Sequence, residues 1–228
     1  MFRGQVEVWQ IIKNDGIRFR KEVRRMAKVE KVTQVTHNRF LNYFELSTIK
    51  RTGKAGRYFM AARSDDVSTL DLTTGENTPN GVVIFSLAGE KHDRIVLVHQ
   101  YRYPIAGYIY ELPAGLIEKN EDYREAAVRE MKEETGLTFR PLDVDPMYER
   151  AFYNSVGMTD ESCNLVYGYS DGTVSREGLE ESEELDVVLA DRDEARRILR
   201  EERVAANCAY MLMQFIHNTE DAFSFLRG

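Results

Sequence analysis

Between Gly115 and Leu137 the chain sets a glycine-led loop ahead of a stretch, Glu121 to Thr135, that contains neither Pro nor Gly and stops at Gly136. This composition predicts a helix over 121–135 with Gly136 as its C-cap. On such a helix Glu130, Glu133 and Glu134 are related by i+3 and i+4 and project from one face. Ala127 and Met131 sit one turn apart on another face and can pack inward. Like charges about 4 Å apart repel by roughly 4 kcal/mol at an effective dielectric near 20. Three such carboxylates are therefore either splayed in water, laced by ion pairs such as Arg129–Glu133 at i+4, or neutralised by a cation. Oxygen donors suit hard divalent ions such as Mg²⁺ or Mn²⁺.

The chain around this segment reads as strands with few helices. Val6–Ile12 alternates as a strand and ends at the turn signal Asn14-Asp15-Gly16, and Arg18 to Lys31 is either a second strand or a short helix. Phe40–Lys50 and Arg57–Arg63 flank a Gly-containing turn and predict a hairpin. The polar, turn-rich stretch 64–80 marks a subdomain boundary. Beyond it, strands are expected at Val82–Leu87, Arg94–Tyr101, Tyr108–Leu112, Met147–Tyr153, Ser162–Tyr169 and Leu185–Leu189, with closing helices near Arg192–Glu202 and Ala205–His217. No internal repeat is visible. The expected class is α+β or a mixed-sheet sandwich rather than a doubly wound fold.

Composition narrows the function classes. Of 228 residues, 31 are Lys or Arg and 38 Asp or Glu, a formal net charge of −7 that argues against nucleic acid as the main partner. The charge is uneven: residues 1–31 hold nine basic against four acidic residues. Cys163 and Cys208 are far apart and the four histidines are scattered, so any metal here must take oxygen ligands. No apolar run approaches the roughly 20 residues of a membrane-spanning helix, and no signal peptide is read at the N-terminus. A soluble, cytoplasmic protein is expected.

The 23 residues from Gly115 to Leu137 fit the pattern Gly-x5-Glu-x7-Arg-Glu-U-x-Glu-Glu-x-Gly-U, U being aliphatic, at every fixed position. In this the chain resembles the Nudix hydrolases. The resemblance implies an α/β/α sandwich with a mixed sheet, an α+β class, preceded here by a small N-terminal β subdomain. The division expected is 1–77 for that subdomain and 78–228 for the hydrolase domain. It also implies Mg²⁺-dependent hydrolysis of a nucleoside diphosphate linked to another moiety, with Mn²⁺ as a substitute. By the same resemblance Glu130 and Glu134 are metal ligands, Glu133 assists, and Ala114 contributes its backbone carbonyl. Arg129 and Glu121 hold the loop against the helix. Glu133 and Glu134 count among the catalytic residues.

Flanking residues point to a branch. Gln100-Tyr101-Arg102 followed by Glu111-Leu-Pro-Ala-Gly115 resembles the ADP-ribose and nucleotide-sugar pyrophosphatases. That likeness makes Arg102 the phosphate-binding candidate, while Glu111 either hydrogen-bonds near the metal or supports the loop. Val156-Gly-Met-Thr-Asp-Glu161 resembles the group's PG-x-[ST]-x-E loop, which makes Glu161 the candidate general base. Val156 stands where that group commonly has Pro, so a UDP-sugar such as UDP-glucose is the alternative substrate. A non-hydrolytic nucleotide sensor is the alternative from another class, although all the box glutamates are present. The run Glu180, Glu181, Glu183 and Glu184 reads as solvated, not as a second metal site. In relatives the N-terminal strands pair across a two-fold axis, so a homodimer involving Phe40–Arg63 is expected.

Overall fold

The computed structural model describes residues 5–13, 17–179 and 184–227, with side-chain burial from residue 26 onward. The turn expected at Asn14-Asp15-Gly16 and the acids Glu180, Glu181 and Glu183 lie outside the described residues. Contacts divide the chain into two compact units, Met1–Asn77 with Ser155–Glu161, and Thr78–Asn154 with Ser162–Gly228.

In the first unit, β1 (Gln5–Lys13) and β2 (Ile17–Arg25) pair antiparallel from Gln5↔Arg25 to Lys13↔Ile17. A second antiparallel sheet has the order β3 (Lys28–Gln34), β4 (Asn42–Ile49), β5 (Ala55–Ala62). The hairpin read at Phe40–Arg63 is thus β4–β5, and the ambiguous stretch 18–31 resolves into β2 and the start of β3. Alternation along β4 sends Phe44 and Leu46 inward against Met60, Ala62 and Leu70. Tyr43 points to the other face and stacks on Phe59 with ring centroids 5.7 Å apart. The short α1 (Asp71–Thr74) ends at Gly75, whose φ of 75° suits glycine.

The second unit is built on a mixed sheet. Its strands are β6 (Gly81–Ala88), β7 (Arg94–Arg102), β8 (Gly107–Glu111), β9 (Ala114–Leu116), β10 (Thr138–Pro141), β11 (Phe152–Tyr153), β12 (Ser162–Asp171) and β13 (Leu185–Ala190). The path runs β10-β12-β6-β7-β13, with β8 on β7, β9 on β6 and β11 on β12. Only the β12–β6 pairing within it is parallel, from Cys163↔Gly81 to Tyr169↔Leu87, among the described residues. Strands β6 and β7 are buried on both faces, and alternation sorts their side chains to two layers. Val82, Ile84 and Val96 meet Ala126, Ala127 and Met131 of α2 (Tyr123–Thr135) on one face. Val83, Phe85, Ile95 and Leu97 meet Ile198, Leu212 and Phe215 on the other. Those last three belong to α4 (Arg192–Glu201) and α5 (Ala206–His217), which follow the short α3 (Pro146–Glu149) in chain order. Helix, sheet and helix form the expected sandwich.

The strand expected over Met147–Tyr153 is a correction. Residues 146–149 form α3 and only Phe152–Tyr153 are extended. Asp145 accepts a hydrogen bond from the Met147 amide as N-cap, and Pro146 occupies the first helical turn, where its missing N–H costs nothing.

Candidate active site

The loop from Pro113 to Asp122 is fastened at both ends. Its first residues form β9, paired with β6 through Val83↔Ala114, Val82↔Gly115 and Gly81↔Leu116. At its far end Asp122 caps α2 by accepting from the Arg124 amide at 2.8 Å. The helix then runs to Gly136, whose φ of 75° is left-handed and whose N–H bonds to the Lys132 carbonyl. Arg124 Nη2 and the Tyr123 hydroxyl bind Oε2 of buried Glu149 at 2.5 and 3.0 Å, tying the helix N-terminus to α3.

Gly115 leaves room for one acidic side chain. A β-carbon built there would overlap the Glu130 carboxylate, so only a glycine lets that side chain lie on the loop backbone. Arg129 is the hub of the site. Its Nε and Nη2 grip both oxygens of Glu121 at 2.8 and 2.9 Å, and Nη2 also reaches the Leu116 carbonyl at 2.9 Å. Its Nη1 donates to Glu130 Oε1 and Glu133 Oε2, each at 2.8 Å. These bonds, Glu121's above all, raise the guanidinium pKa beyond its ordinary value, and the same bond from Arg129 holds the Glu121 carboxyl below the usual range. The Glu118 amide adds a further bond to Glu121 at 2.8 Å. Both roles read from the sequence for Arg129 are present at once: the i+4 ion pair and the clamp between loop and helix.

The three glutamates of the helix face are sorted between two settings. Glu130 and Glu133 share an arginine nitrogen, while Glu134, only 3% exposed, accepts from the Ala114 amide at 3.1 Å. Among the described residues no three acidic, histidine or cysteine side chains are already gathered into a metal cage. The donor set is nonetheless all oxygen, and Glu130 and Glu133 are already drawn to the positive charge of Arg129 on the same helix. A hard divalent ion fits those donors by replacing part of Arg129's role.

Arg102, at the end of β7, reaches back along the sheet to Glu111 of β8, Nε to Oε2 2.6 Å. Arg102 is half exposed and Glu111 largely covered. The bond makes Glu111 the partner of the phosphate candidate and does not decide between its two readings. Glu184, the described member of the acidic run, accepts from the Tyr108 hydroxyl. Glu161 lies in the first unit, where Arg63 Nε binds its Oε1 at 2.7 Å. Sequence reasoning passed over Arg63, since a single basic residue just past a strand carries no motif and its pairing with Glu161 has no local signal.

Comparison with known proteins bears on this geometry. The NUDIX domain family matches residues 77–211. A methanol dehydrogenase activator of Bacillus methanolicus is 30% identical over 78% of this chain and 95% of its own. An ADP-ribose pyrophosphatase of Bacillus subtilis is 30% identical over 59% of this chain and 70% of its own. A crystal structure of an ADP compounds hydrolase shares the fold, with a TM-score of 0.59 at 19% identity, covering 86% of this chain and 95% of that one. With its box complete from Gly115 to Leu137 and its sandwich in place, the chain belongs to the Nudix hydrolase family, as a pyrophosphohydrolase that groups with the ADP-ribose pyrophosphatases.

Proposed function

We propose that the chain hydrolyses the pyrophosphate bond of ADP-ribose or a related nucleoside diphosphate sugar, giving a nucleoside monophosphate and a sugar phosphate. The observation that carries the reading is the seating of Glu130 on Gly115 beside Glu133 and the loop-facing Glu134. Glu130, Glu134 and Glu133 with the Ala114 carbonyl would hold Mg²⁺, or Mn²⁺ in its place. Such an ion supplies charge neutralisation of the pyrophosphate and polarisation of its phosphoryl oxygens.

The chain's own residues do the rest. Arg102 binds a substrate phosphate, exchanging Glu111 for it as charge-assisted partner. Glu161 accepts a proton from water as the water oxygen bonds to phosphorus. The bond from that phosphorus to the bridging oxygen breaks, and the bridging oxygen leaves with the electron pair on the departing phosphate ester. Two copies would pair through the N-terminal strands, with Phe40–Arg63 contributing; the exposed Tyr43–Phe59 stack on the outer face of β4 and β5 supports that pairing. A monomer by light scattering at micromolar concentration would refute the dimer.

The test of the activity is a panel of ADP-ribose, other ADP-sugars, UDP-glucose and nucleoside triphosphates with Mg²⁺ or Mn²⁺, with products separated by chromatography. Two monophosphate products from ADP-ribose are expected. Tight binding of ADP-ribose without turnover would replace the hydrolase with a sensor, and preference for UDP-glucose would move the substrate.

A further inference from the structure

The loop that carries Glu161 is fastened to the first unit's sheet by one isolated bridge. Residues Ser155–Glu161 cluster with the N-terminal strands although they follow them by almost a hundred positions. The Ala61 amide donates to the Met158 carbonyl at 2.9 Å, and Ala61 and Thr159 form a parallel bridge. The Tyr58 hydroxyl donates to the Gly157 carbonyl at 2.5 Å. The segment is thus a turn fastened to the end of β5 by one parallel bridge and one side-chain bond.

That register has a chemical consequence. The bridge at Ala61 and Thr159 brings the backbones together two residues before Arg63 and Glu161, both of which lie just outside named strands. The observed bond runs from Arg63 Nε to one carboxylate oxygen, Oε1, at 2.7 Å. The Thr159 hydroxyl accepts from the Glu161 amide at 3.1 Å and fixes the backbone just before it. Both partners of the ion pair are partly exposed, and pairs of that kind add little to stability. A base, in contrast, gains greatly from being held: about 1 Å of misplacement can cost on the order of 10²-fold in rate.

We propose that Arg63 is a positioning residue for Glu161, holding Oε1 so that Oε2 is presented to the reacting water. The inference rests on the reading of Glu161 as general base.

The experiment compares Arg63→Ala, Arg63→Lys, Glu161→Gln and the Arg63→Ala/Glu161→Gln double variant in steady-state kinetics with ADP-ribose and Mg²⁺, alongside thermal melts. Arg63→Ala is expected to lower kcat by about 10- to 100-fold with KM within about twofold, consistent with a mispositioned base. Arg63→Lys should recover part of the loss. The double variant should be no slower than Glu161→Gln alone, as residues acting as a unit are non-additive. A rise in KM at unchanged kcat would put Arg63 on the substrate and overturn the proposal, as would additive losses in the double variant. If Glu161→Gln is inactive while Arg63→Ala and Arg63→Lys both turn over normally, the positioning role alone fails. If Glu161→Gln is itself fully active, the reading of Glu161 as base fails first.

Discussion

The carboxylate of Glu130 rests against the α-carbon of Gly115, in space that a β-carbon would occupy. Fifteen positions apart in sequence, the two residues are brought together because β9 is pinned to β6 while Arg129 holds the loop to the helix. Gly115→Ala must therefore displace Glu130. A Mg²⁺ titration of activity should show apparent metal affinity falling by about 10- to 100-fold, the range seen when groups that orient ligands are disturbed. Thermal unfolding should change little, because the β-carbon meets only the end of the flexible Glu130 side chain. Unaltered metal dependence would separate Glu130 from the metal.

Glu134 is nearly buried and accepts from the Ala114 amide at 3.1 Å. A glutamine keeps a carbonyl oxygen for that bond and loses the negative charge. Glu134→Gln should then melt within a few degrees of the parent while kcat falls by orders of magnitude, on the order of the 10²–10³-fold attached to a lost electrostatic group. Normal turnover in this variant would sink its assignment as a metal ligand.

How much of this was legible beforehand depends on how local each cause is. The glutamates of α2 were readable because helical period and a fixed loop length decide their face, and Gly136 announced its own left-handed cap. The α3 turn falls where a strand is expected although its signal, Asp145 before Pro146, is in the chain. Strand β10 is only four residues long and ends in Pro141, too short for a periodicity to register. The joining of Ser155–Glu161 to β5 has no local signature at all, since a parallel pairing across nearly a hundred residues is decided by tertiary structure. Arg63 was missed for that reason.

Arg102 and Glu111 form an ion pair at 2.6 Å on a half-exposed strand end. Removing the guanidinium should cost little stability, because such pairs contribute about 0–1 kcal/mol. It should cost binding instead. Arg102→Ala is expected to raise KM for ADP-ribose by about tenfold or more, since a charge-assisted bond contributes roughly 1.5–3 kcal/mol. Steady-state kinetics check this, and a KM equal to that of the parent would confine Arg102 to its pairing with Glu111.

Glu121 ties the loop to the helix and its folded pKa is lowered from 4.5, first by the hydrogen bond from Arg129. A depressed carboxyl adds stability that is fully present above its unfolded pKa and is lost as pH falls through the lowered folded value. Thermal melts taken from pH 6 down to pH 3 should show the parent losing stability chiefly below 4.5. Glu121→Gln, unable to ionise, should start less stable at pH 6 and lose less over the same interval, so that the two curves converge toward acid. The same variant loosens Arg129, which also holds Glu130 and Glu133. The Mg²⁺ concentration that the proposed activity needs at neutral pH should shift together with the variant's stability. Parallel melting curves across the whole interval would show that the Arg129–Glu121 clamp does not distinguish the ionised from the neutral carboxyl.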